Sequence, residues 1–291
     1  MTRDAIDRAA SLKCFKNPTE ITTLGGGITN INLKVQDGDN SYVVRLGEDI
    51  PEHGVMRWNE LVISKAANAA EISPAVIYHE PGVLVLEYLD AKTYEEEDVR
   101  ADENLPRVIE LISKAHRDLG KYLTSPVLSF WPFQVNRTYA AHLLENGSSH
   151  ADKLPELMQQ SEKLETAVGA VDLVIGHNDL LAANFLDDGE NLSLIDWEYG
   201  GVNSPLFDLA GLAGNNGLRE AQERAILEQY FEGSADQYWR PFVAMKCASL
   251  LRETLWSMTS EIHSKLDFDY SAYTEENMSR LLAAMDDFKK I

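Results

Sequence analysis

The stretch from Val174 to Asn184 reads VIGHNDLLAAN and has the form H-x-D-x-x-x-x-N. A second acidic motif, IDWEY, runs from Ile195 to Tyr199 and places Asp196 twelve residues after Asn184. The run DDGE between the motifs is a turn signal, so the chain from Asn184 to Asp196 is predicted to form a short hairpin. This hairpin brings Asn184 and Asp196 together, and Asp179 on the preceding loop faces the same cavity.

These side chains suit phosphoryl transfer, which needs a group to accept the hydroxyl proton of the acceptor and oxygen ligands for a metal that bridges the phosphates. Carboxylate and amide oxygens are the ligands that Mg²⁺ prefers. We therefore predict that Asp179 is the catalytic base and that Asn184 and Asp196 are catalytic residues that hold Mg²⁺. His177 is interpreted as a structural residue of the loop, because no serine or cysteine motif accompanies it. Any one of the three polar residues alone would be read as a loop or strand-end residue.

The two motifs together resemble the choline kinase and aminoglycoside phosphotransferase superfamily, whose members are distant relatives of protein kinases. Protein kinases share the D-x-x-x-x-N spacing, but this chain lacks an arginine before Asp179 and has no D-F-G or A-P-E motif. The resemblance extends from about Leu24 to Tyr273. It implies an ATP- and Mg²⁺-dependent kinase that phosphorylates the hydroxyl of choline or ethanolamine. Asp208 resembles a family aspartate that braces the catalytic loop.

The spacing of apolar residues along the sequence changes near Asp90. Before it, apolar alternation and turn residues predict strands, and after about Glu95 helical spacing dominates. Together with the resemblance, this predicts an α+β, two-lobed protein-kinase-like fold, with an antiparallel nucleotide-binding lobe over residues 1–89 and a helical lobe with the catalytic loop and acceptor pocket over residues 90–291. The specific predictions are helices over Asp4–Phe15, Val55–Ala70, Leu105–Leu123, Ala221–Phe231 and Phe242–His263, a hairpin over Ile31–Leu46, and a strand pair over Pro74–Leu89.

The nucleotide is expected to lie against the first lobe. The run LGGGITN, from Leu24 to Asn30, lies between two predicted strands, and its glycines could direct backbone N–H groups at phosphate oxygens; a plain tight turn explains it equally well. The resemblance implies nucleotide contacts from this turn, a phosphate-binding arginine with an orienting glutamate, and the connection between lobes at the adenine. The residues concerned are Gly25, Gly26, Gly27, Asn30, Arg45, Glu60, Glu87 and Tyr88.

Two alternatives stay open for these residues. Arg45 could be an exposed strand arginine, with Lys34 as a rival phosphate ligand, and Glu60 could be an exposed helix glutamate.

The acceptor pocket is implied mainly by aromatic residues near the C-terminus. Trp256, followed by FDYSAY from Phe268 to Tyr273, resembles the C-terminal segment of choline and ethanolamine kinases, and Tyr199 also matches a family pocket position. Aromatic faces suit a quaternary ammonium through cation–π attraction. Packing in the helical core is the alternative, and it is the preferred interpretation for Phe268. Two positions depart from the pattern of animal choline kinases: Glu253 stands where they carry an aromatic residue, and Asn215 where they carry an acid. The carboxylate of Glu253 could still balance the charge of the substrate.

Those departures leave thiamine or an aminoglycoside as alternative acceptors, and a non-catalytic nucleotide-binding module as an alternative of another class. The net charge of −21 argues against nucleic acid and anionic lipid as partners. The small cationic alcohol expected as the acceptor is implied by the resemblance. Cys14 and Cys247 are far apart and are interpreted as free thiols in a reducing compartment. Neither a signal peptide nor a membrane-spanning run is recognised, so a cytoplasmic location is predicted. The oligomeric state is left open.

Overall fold

The computed structural model describes residues 2–25, 30–233, 235–264 and 268–291. Its N-terminal part is a five-stranded antiparallel sheet with the order β1-β2-β3-β5-β4. The elements in this part are α1 (Thr2–Ala10), β1 (Pro18–Leu24), β2 (Ile31–Asp37), β3 (Asn40–Leu46), a 3₁₀ turn (Pro51–His53), α2 (Arg57–Ala69), β4 (Val76–Glu80) and β5 (Val83–Glu87).

The predicted hairpin and strand pair are confirmed. Asp37 faces Asn40 across the turn between β2 and β3, where Gly38 has a φ of 63° that favours glycine. Helix α1, in contrast, ends at Ala10, five residues before the predicted Phe15. The chain leaves the helix there because the backbone N–H groups of Lys16 and Asn17 donate to the Asp37 carboxylate and draw the segment onto the sheet.

A small apolar core lies between this sheet and α1. Leu33, Val35, Val44 and Val85 are fully buried, and Ala9 of α1 packs into the same cluster. Leu33 and Val35 are two residues apart, so the period-2 alternation of a strand directs both to one face. The sheet therefore has a buried face against α1, as the alternation predicted.

The rest of the described chain is mainly helical. Its elements are β6 (Lys92–Thr93), α3 (Glu96–Arg100), α4 (Leu105–Tyr122), α5 (Pro132–Glu145), α6 (Leu154–Val168), β7 (Val174–Gly176), a 3₁₀ turn (Ala182–Asn184), β8 (Phe185–Asp187), β9 (Leu192–Leu194), β10 (Gly201–Asn203), α7 (Pro205–Asn215), α8 (Glu220–Tyr230), α9 (Ala235–His263) and α10 (Tyr270–Phe288). The predicted α+β class is confirmed.

Helix α9 lies at the centre of this part and packs against α5, α6, α7 and α10. It begins at Ala235, earlier than the predicted Phe242, and it is buried on nearly all sides from Phe242 to Ser260. A helix that is apolar around most of its circumference belongs in a core rather than at a surface. Helix α9 is therefore a fixed support from which side chains can project into a site.

Two short antiparallel pairings position the predicted catalytic segment. Strands β8 and β9 form the expected hairpin, with β6 on its edge, and β7 pairs with β10. The loop from His177 to Leu181 runs between β7 and the hairpin. The division of the lobes at residues 89 and 90 stays a prediction. Strand β6, just beyond that division, pairs with β8 of the hairpin.

Among the described helices, none combines the length and the apolar character needed to cross a bilayer.

Candidate active site

The loop after β7 is held by its histidine. The ring of His177 is buried, and its Nε2 lies 2.8 Å from the carbonyl oxygen of Ile195. A carbonyl can only accept, so Nε2 carries the proton and Nδ1 is left to accept the backbone N–H of Asp179 at 3.3 Å. Burial lowers the pKa of His177, in keeping with a neutral ring. Both nitrogens are thus used to shape the loop, in agreement with a structural residue.

Asp208 on α7 supports the same loop from below. Its carboxylate accepts the backbone N–H groups of His177 and Asn178, each at 2.7 Å, and lies 2.9 Å from Nε2 of His116. Burial works against ionisation of Asp208, but His116 and these hydrogen bonds outweigh it and lower its pKa. Asn178 adopts a left-handed φ of 69°, which asparagine tolerates better than most residues. The loop conformation is therefore set by a buried carboxylate.

The hairpin brings Asn184 and Asp196 to one end, as predicted. The register pairs Phe185 with Leu194, and the N–H of Ile195 donates to the carbonyl of Asn184 at 2.9 Å. The side-chain amide of Asn184 donates to the backbone oxygen of Asp179 at 2.8 Å, which leaves the Asn184 amide oxygen as its remaining acceptor. Asp196 has a φ of 69°, a strained conformation of the kind found at functional sites.

Arg45 connects this hairpin to the sheet. Its guanidinium forms two bonds to the Asp196 carboxylate, at 2.6 and 2.5 Å, and a third at 2.5 Å to Glu60 on α2. Burial raises the pKa of Asp196, but the charge and hydrogen bonds of Arg45 outweigh it and hold that pKa below its usual value. Glu60 pairs with Arg45 as expected. The rival Lys34 lies elsewhere, with its ammonium 3.7 Å above the ring of Tyr88.

A second arginine and a third carboxylate in this cluster were not foreseen. Arg57 lies 2.7 Å from Glu60 and 3.1 Å from Glu198, and Asn30 donates to Glu198 at 2.9 Å. Burial is the main cause that raises the pKa of Glu198. Glu198 stands two residues after Asp196 inside the quoted motif IDWEY, which is the signal that could have pointed to it.

The structure describes only part of the glycine-rich turn that is predicted to contact the nucleotide. Asn30 reaches the cluster through Glu198, and Gly25 follows β1 in an exposed position where an added Cβ would meet nothing within 4 Å. Gly26 and Gly27 lie outside the described residues.

The segment predicted to meet adenine has some of its backbone groups already in use. The N–H of Glu87 donates to Ala75 and that of Tyr88 to Ser41. These two N–H groups are therefore already engaged within the sheet and its connection.

A cavity of about 280 Å³ joins the catalytic loop to α9 and α10. Within it, burial raises the pKa of Asp179 to about 7, a shift that Arg252 opposes and that the nearby carboxylates Glu253 and Asp196 increase. A carboxyl group tuned to near-neutral pKa is what general base catalysis favours. The predicted residues that line the cavity are Asp179, Asn184, Asp196, Tyr199, Glu253, Trp256 and Tyr273.

The aromatic residues of this cavity are tied to one another. The indole N–H of Trp256 donates to the hydroxyl of Tyr199 at 3.0 Å, and the hydroxyl of Tyr273 donates to Glu253 at 2.9 Å. Phe268, expected in the helical core, is 47% exposed. It precedes Asp269, the residue that caps the start of α10, and its ring packs edge-on against Tyr270 and Tyr273 of the first turn. The core interpretation is therefore wrong for Phe268, and Trp256 is both a packed residue and a wall of the cavity.

Sequence reasoning also missed Arg252. It is buried, lines the cavity, and lies 2.9 Å from Glu253 and 3.6 Å from Asp179. Arg252 precedes Trp256 by four residues on α9, so the two share a helix face, which is a signal available from the sequence.

Comparison with known proteins gives consistent matches. A family model described as choline/ethanolamine kinase matches residues 21–215. A probable ethanolamine kinase from Arabidopsis thaliana is 26% identical over 289 aligned residues, covering 87% of this chain and 76% of that protein. A solved choline/ethanolamine kinase family protein from Mesorhizobium loti has a TM-score of 0.80 at 26% identity, covering 99% of this chain and 96% of that one.

A more distant solved structure has the same fold. The GDP complex of wild-type aminoglycoside 2'-phosphotransferase-IIIa has a TM-score of 0.69 at 14% identity and covers 98% of both chains. At this identity the likeness concerns the fold alone. The predicted two-lobed kinase-like fold is thereby confirmed.

Proposed function

The chain belongs to the choline/ethanolamine kinase family of small-molecule kinases, and from that premise we propose that it transfers the γ-phosphoryl group of ATP to the hydroxyl of choline or ethanolamine. The observation that carries the proposal is the convergence of Asp179, Asn184 and Asp196 on one cavity that is closed on its other side by Trp256 and Tyr273. A proton acceptor, two oxygen ligands and a wall for a small amino alcohol are what this reaction needs.

In this reaction Asp179 accepts the hydroxyl proton of the acceptor. The acceptor oxygen forms a bond to the γ-phosphorus while the bond from phosphorus to the β–γ bridging oxygen breaks, and ADP leaves. The Asp179 backbone is fixed by His177 and Asn184, so its carboxylate is aimed before the acceptor arrives. Such positioning removes entropy that would otherwise add to the barrier.

The residues present fit Mg²⁺. Asp196 supplies an ionised carboxylate, and Asn184 supplies an amide oxygen whose own N–H₂ is already held by Asp179. Mg²⁺ is commonly held by one or two protein oxygen ligands together with phosphate oxygens, and when bound it neutralises charge on the phosphates. Over residues 2–25, 30–233, 235–264 and 268–291, His, Cys, Asp and Glu side chains form no group of three or more that could hold a metal by itself. Asn184 and Asp196 are therefore proposed to hold the ion with the nucleotide.

Arg45 is proposed to bind the phosphates. Its guanidinium carries five donors, and Glu60 holds it in place from the side of α2. Asn30 and Gly25–Gly27 are proposed to contact the phosphates, and Glu87 and Tyr88 to contact the adenine. The protein is further proposed to act in the cytoplasm, on a small cationic alcohol rather than a nucleic acid.

The experiment that tests this function is a substrate panel. ADP release would be followed with choline, ethanolamine, thiamine and kanamycin as acceptors, for the wild type, for Asp179→Asn and for Asp172→Asn, an exposed aspartate that serves as the matched control. We expect turnover with choline or ethanolamine that Asp179→Asn abolishes and Asp172→Asn leaves unchanged. Turnover with thiamine or kanamycin alone would move the chain to another branch of the superfamily. Mg-ATP binding without turnover on any acceptor would favour a non-catalytic module.

A further inference from the structure

Arg252 places a permanent positive charge inside the acceptor cavity. The residue is 4% exposed, and an arginine stays protonated at any pH a protein experiences. Its Nη1 lies 2.9 Å from Glu253 Oε2 and its Nη2 lies 3.6 Å from Asp179 Oδ1. A buried charge of this kind persists only with such partners, so the guanidinium has a defined position.

That position is over an aromatic ring. The guanidinium carbon of Arg252 lies 5.3 Å from the ring centroid of Tyr199 and 5.8 Å from that of Phe130. Both distances are within the range in which a cation is attracted to a ring face. The Tyr199 hydroxyl meanwhile accepts the indole N–H of Trp256. Tyr199 therefore already has a cation of the protein itself on its ring.

Trp256 is also partly covered. The ring of His53 stacks on it with centroids 4.9 Å apart and planes at 29°. Burial lowers the pKa of His53 to about 3, with Arg252 contributing, so the stacked ring is neutral. Of the aromatic surface that the sequence assigned to a quaternary ammonium, much is in use for contacts within the protein.

Oxygen acceptors remain at this end of the cavity. Glu253 accepts one hydrogen bond from Tyr273 and forms an ion pair with Arg252, and each carboxylate oxygen has two lone pairs. A primary ammonium carries three N–H donors that can use such oxygens, whereas a quaternary ammonium has no donor and depends on ring faces.

We propose that Arg252 is a specificity-determining residue: by occupying the ring of Tyr199 and pairing with Glu253, it makes the cavity select an acceptor with a primary ammonium over one with a quaternary ammonium. This inference rests on the proposed function, and it narrows the acceptor to ethanolamine-like alcohols.

The first test needs no variant. kcat/KM is measured on the wild type for ethanolamine and its N-methyl, N,N-dimethyl and N,N,N-trimethyl (choline) derivatives. We expect kcat/KM to fall as methyl groups are added, and to be about tenfold or more lower for choline than for ethanolamine, the size expected when one ring contact is lost. Equal or better use of choline would overturn the inference.

The second test replaces Arg252 and Glu253 together, so that the net charge of the protein stays constant. Arg252→Met with Glu253→Gln removes one positive and one negative charge, uncovers Tyr199 and removes the carboxylate. The ratio of kcat/KM for ethanolamine to that for choline should drop by about tenfold. A ratio has the advantage that a reduced folded fraction affects both substrates equally.

Arg280→Met is the matched control, since Arg280 lines the same cavity but donates to the carbonyl of Gly214. Arg280→Met should leave the ratio of kcat/KM for ethanolamine to that for choline unchanged. A ratio in the double variant within twofold of the wild type, or an equal change in Arg280→Met, would overturn the inference. Absence of turnover with the whole methylation series would instead refute the proposed function and the inference with it.

Discussion

The catalytic loop and the acceptor wall meet at Asp179, and they are stabilised in different ways. The loop is fixed by backbone groups, with the N–H groups of residues 177 and 178 on the Asp208 carboxylate and Asn184 on the backbone oxygen of Asp179. The wall is built from side chains that contact one another, such as Trp256 with Tyr199 and Tyr273 with Glu253. A backbone-fixed loop tolerates little change, whereas a wall of side chains can be altered to suit another acceptor.

The largest expected effect is on the loop side. Asp179→Asn should lower kcat by about 10³-fold or more, since loss of a general base typically costs 10²–10⁴-fold and the carboxamide cannot take the proton. The dissociation constant of Mg-ATP, measured by calorimetry, should stay within about twofold. A variant that retains most of its kcat would remove Asp179 from its assigned position as the base.

A loss of stability should follow from Asp208→Asn. The amide cannot accept from His116 and both backbone N–H groups at once, so we expect a loss of about 2–4 kcal/mol of unfolding free energy. The pKa of Asp208 is lower in the folded state than in the unfolded chain. Its contribution to the free energy of unfolding is therefore complete at pH values above its pKa in the unfolded chain, and is lost as the pH falls through its pKa in the folded state.

Urea unfolding of the wild type and of Asp208→Asn between pH 3 and 7 checks this prediction. The difference in the free energy of unfolding between the two proteins should be constant near neutral pH and become smaller at acidic pH. A difference that grew as the pH fell would contradict the charged state of Asp208.

Arg45→Ala should weaken use of ATP by about 10–100-fold in kcat/KM, the cost of losing charged hydrogen bonds of about 1.5–3 kcal/mol. Arg45→Lys should recover only part of the lost kcat/KM for ATP, because the point charge of an ammonium does not reproduce the planar, forked guanidinium. Lys34→Ala is the comparison variant, and its kcat/KM for ATP should fall much less than that of Arg45→Ala, because Lys34 contacts the ring of Tyr88 and not the Asp196 carboxylate. If Lys34→Ala lost as much activity as Arg45→Ala, the assignment of the phosphate ligand would be reversed.

The smallest effect is expected at the wall. Trp256→Leu should raise KM for the amino alcohol by about three- to tenfold with kcat nearly unchanged, because one ring surface and the hydrogen bond to Tyr199 are lost. Trp58→Leu, at a tryptophan that is 46% exposed, is the control for general loss of an indole. A fall in melting temperature with an unchanged KM would make Trp256 a core residue alone.

The sequence was most informative where function depends on neighbours in the chain. The spacing of Asp179, Asn184 and Asp196 requires a loop and one hairpin turn, both of which local patterns predict, and β8 and β9 form that hairpin. The pairing of Arg45 with Glu60 also agrees with the structure, but it was suggested by the resemblance rather than by any local pattern.

The acceptor wall was less predictable because it depends on how helices are rotated against one another. Arg252 was missed since its contacts with Asp179 and Tyr199 arise only once α9 is packed in the helical core. Phe268 was assigned wrongly to the core, because an aromatic residue just ahead of a helix start is not turned inward by helical periodicity.

The cluster of Arg45 and Arg57 with Glu60, Asp196 and Glu198 has a consequence for the speed of substrate encounter. Its two guanidinium groups are matched by three carboxylates, so it exerts little attraction at long range, and the surrounding molecule has a net charge of −21. Anionic nucleotide is therefore repelled as it approaches, while a cationic amino alcohol is drawn in. Added salt shortens the reach of both forces, so the association rate should rise with ionic strength for the nucleotide and fall for the acceptor.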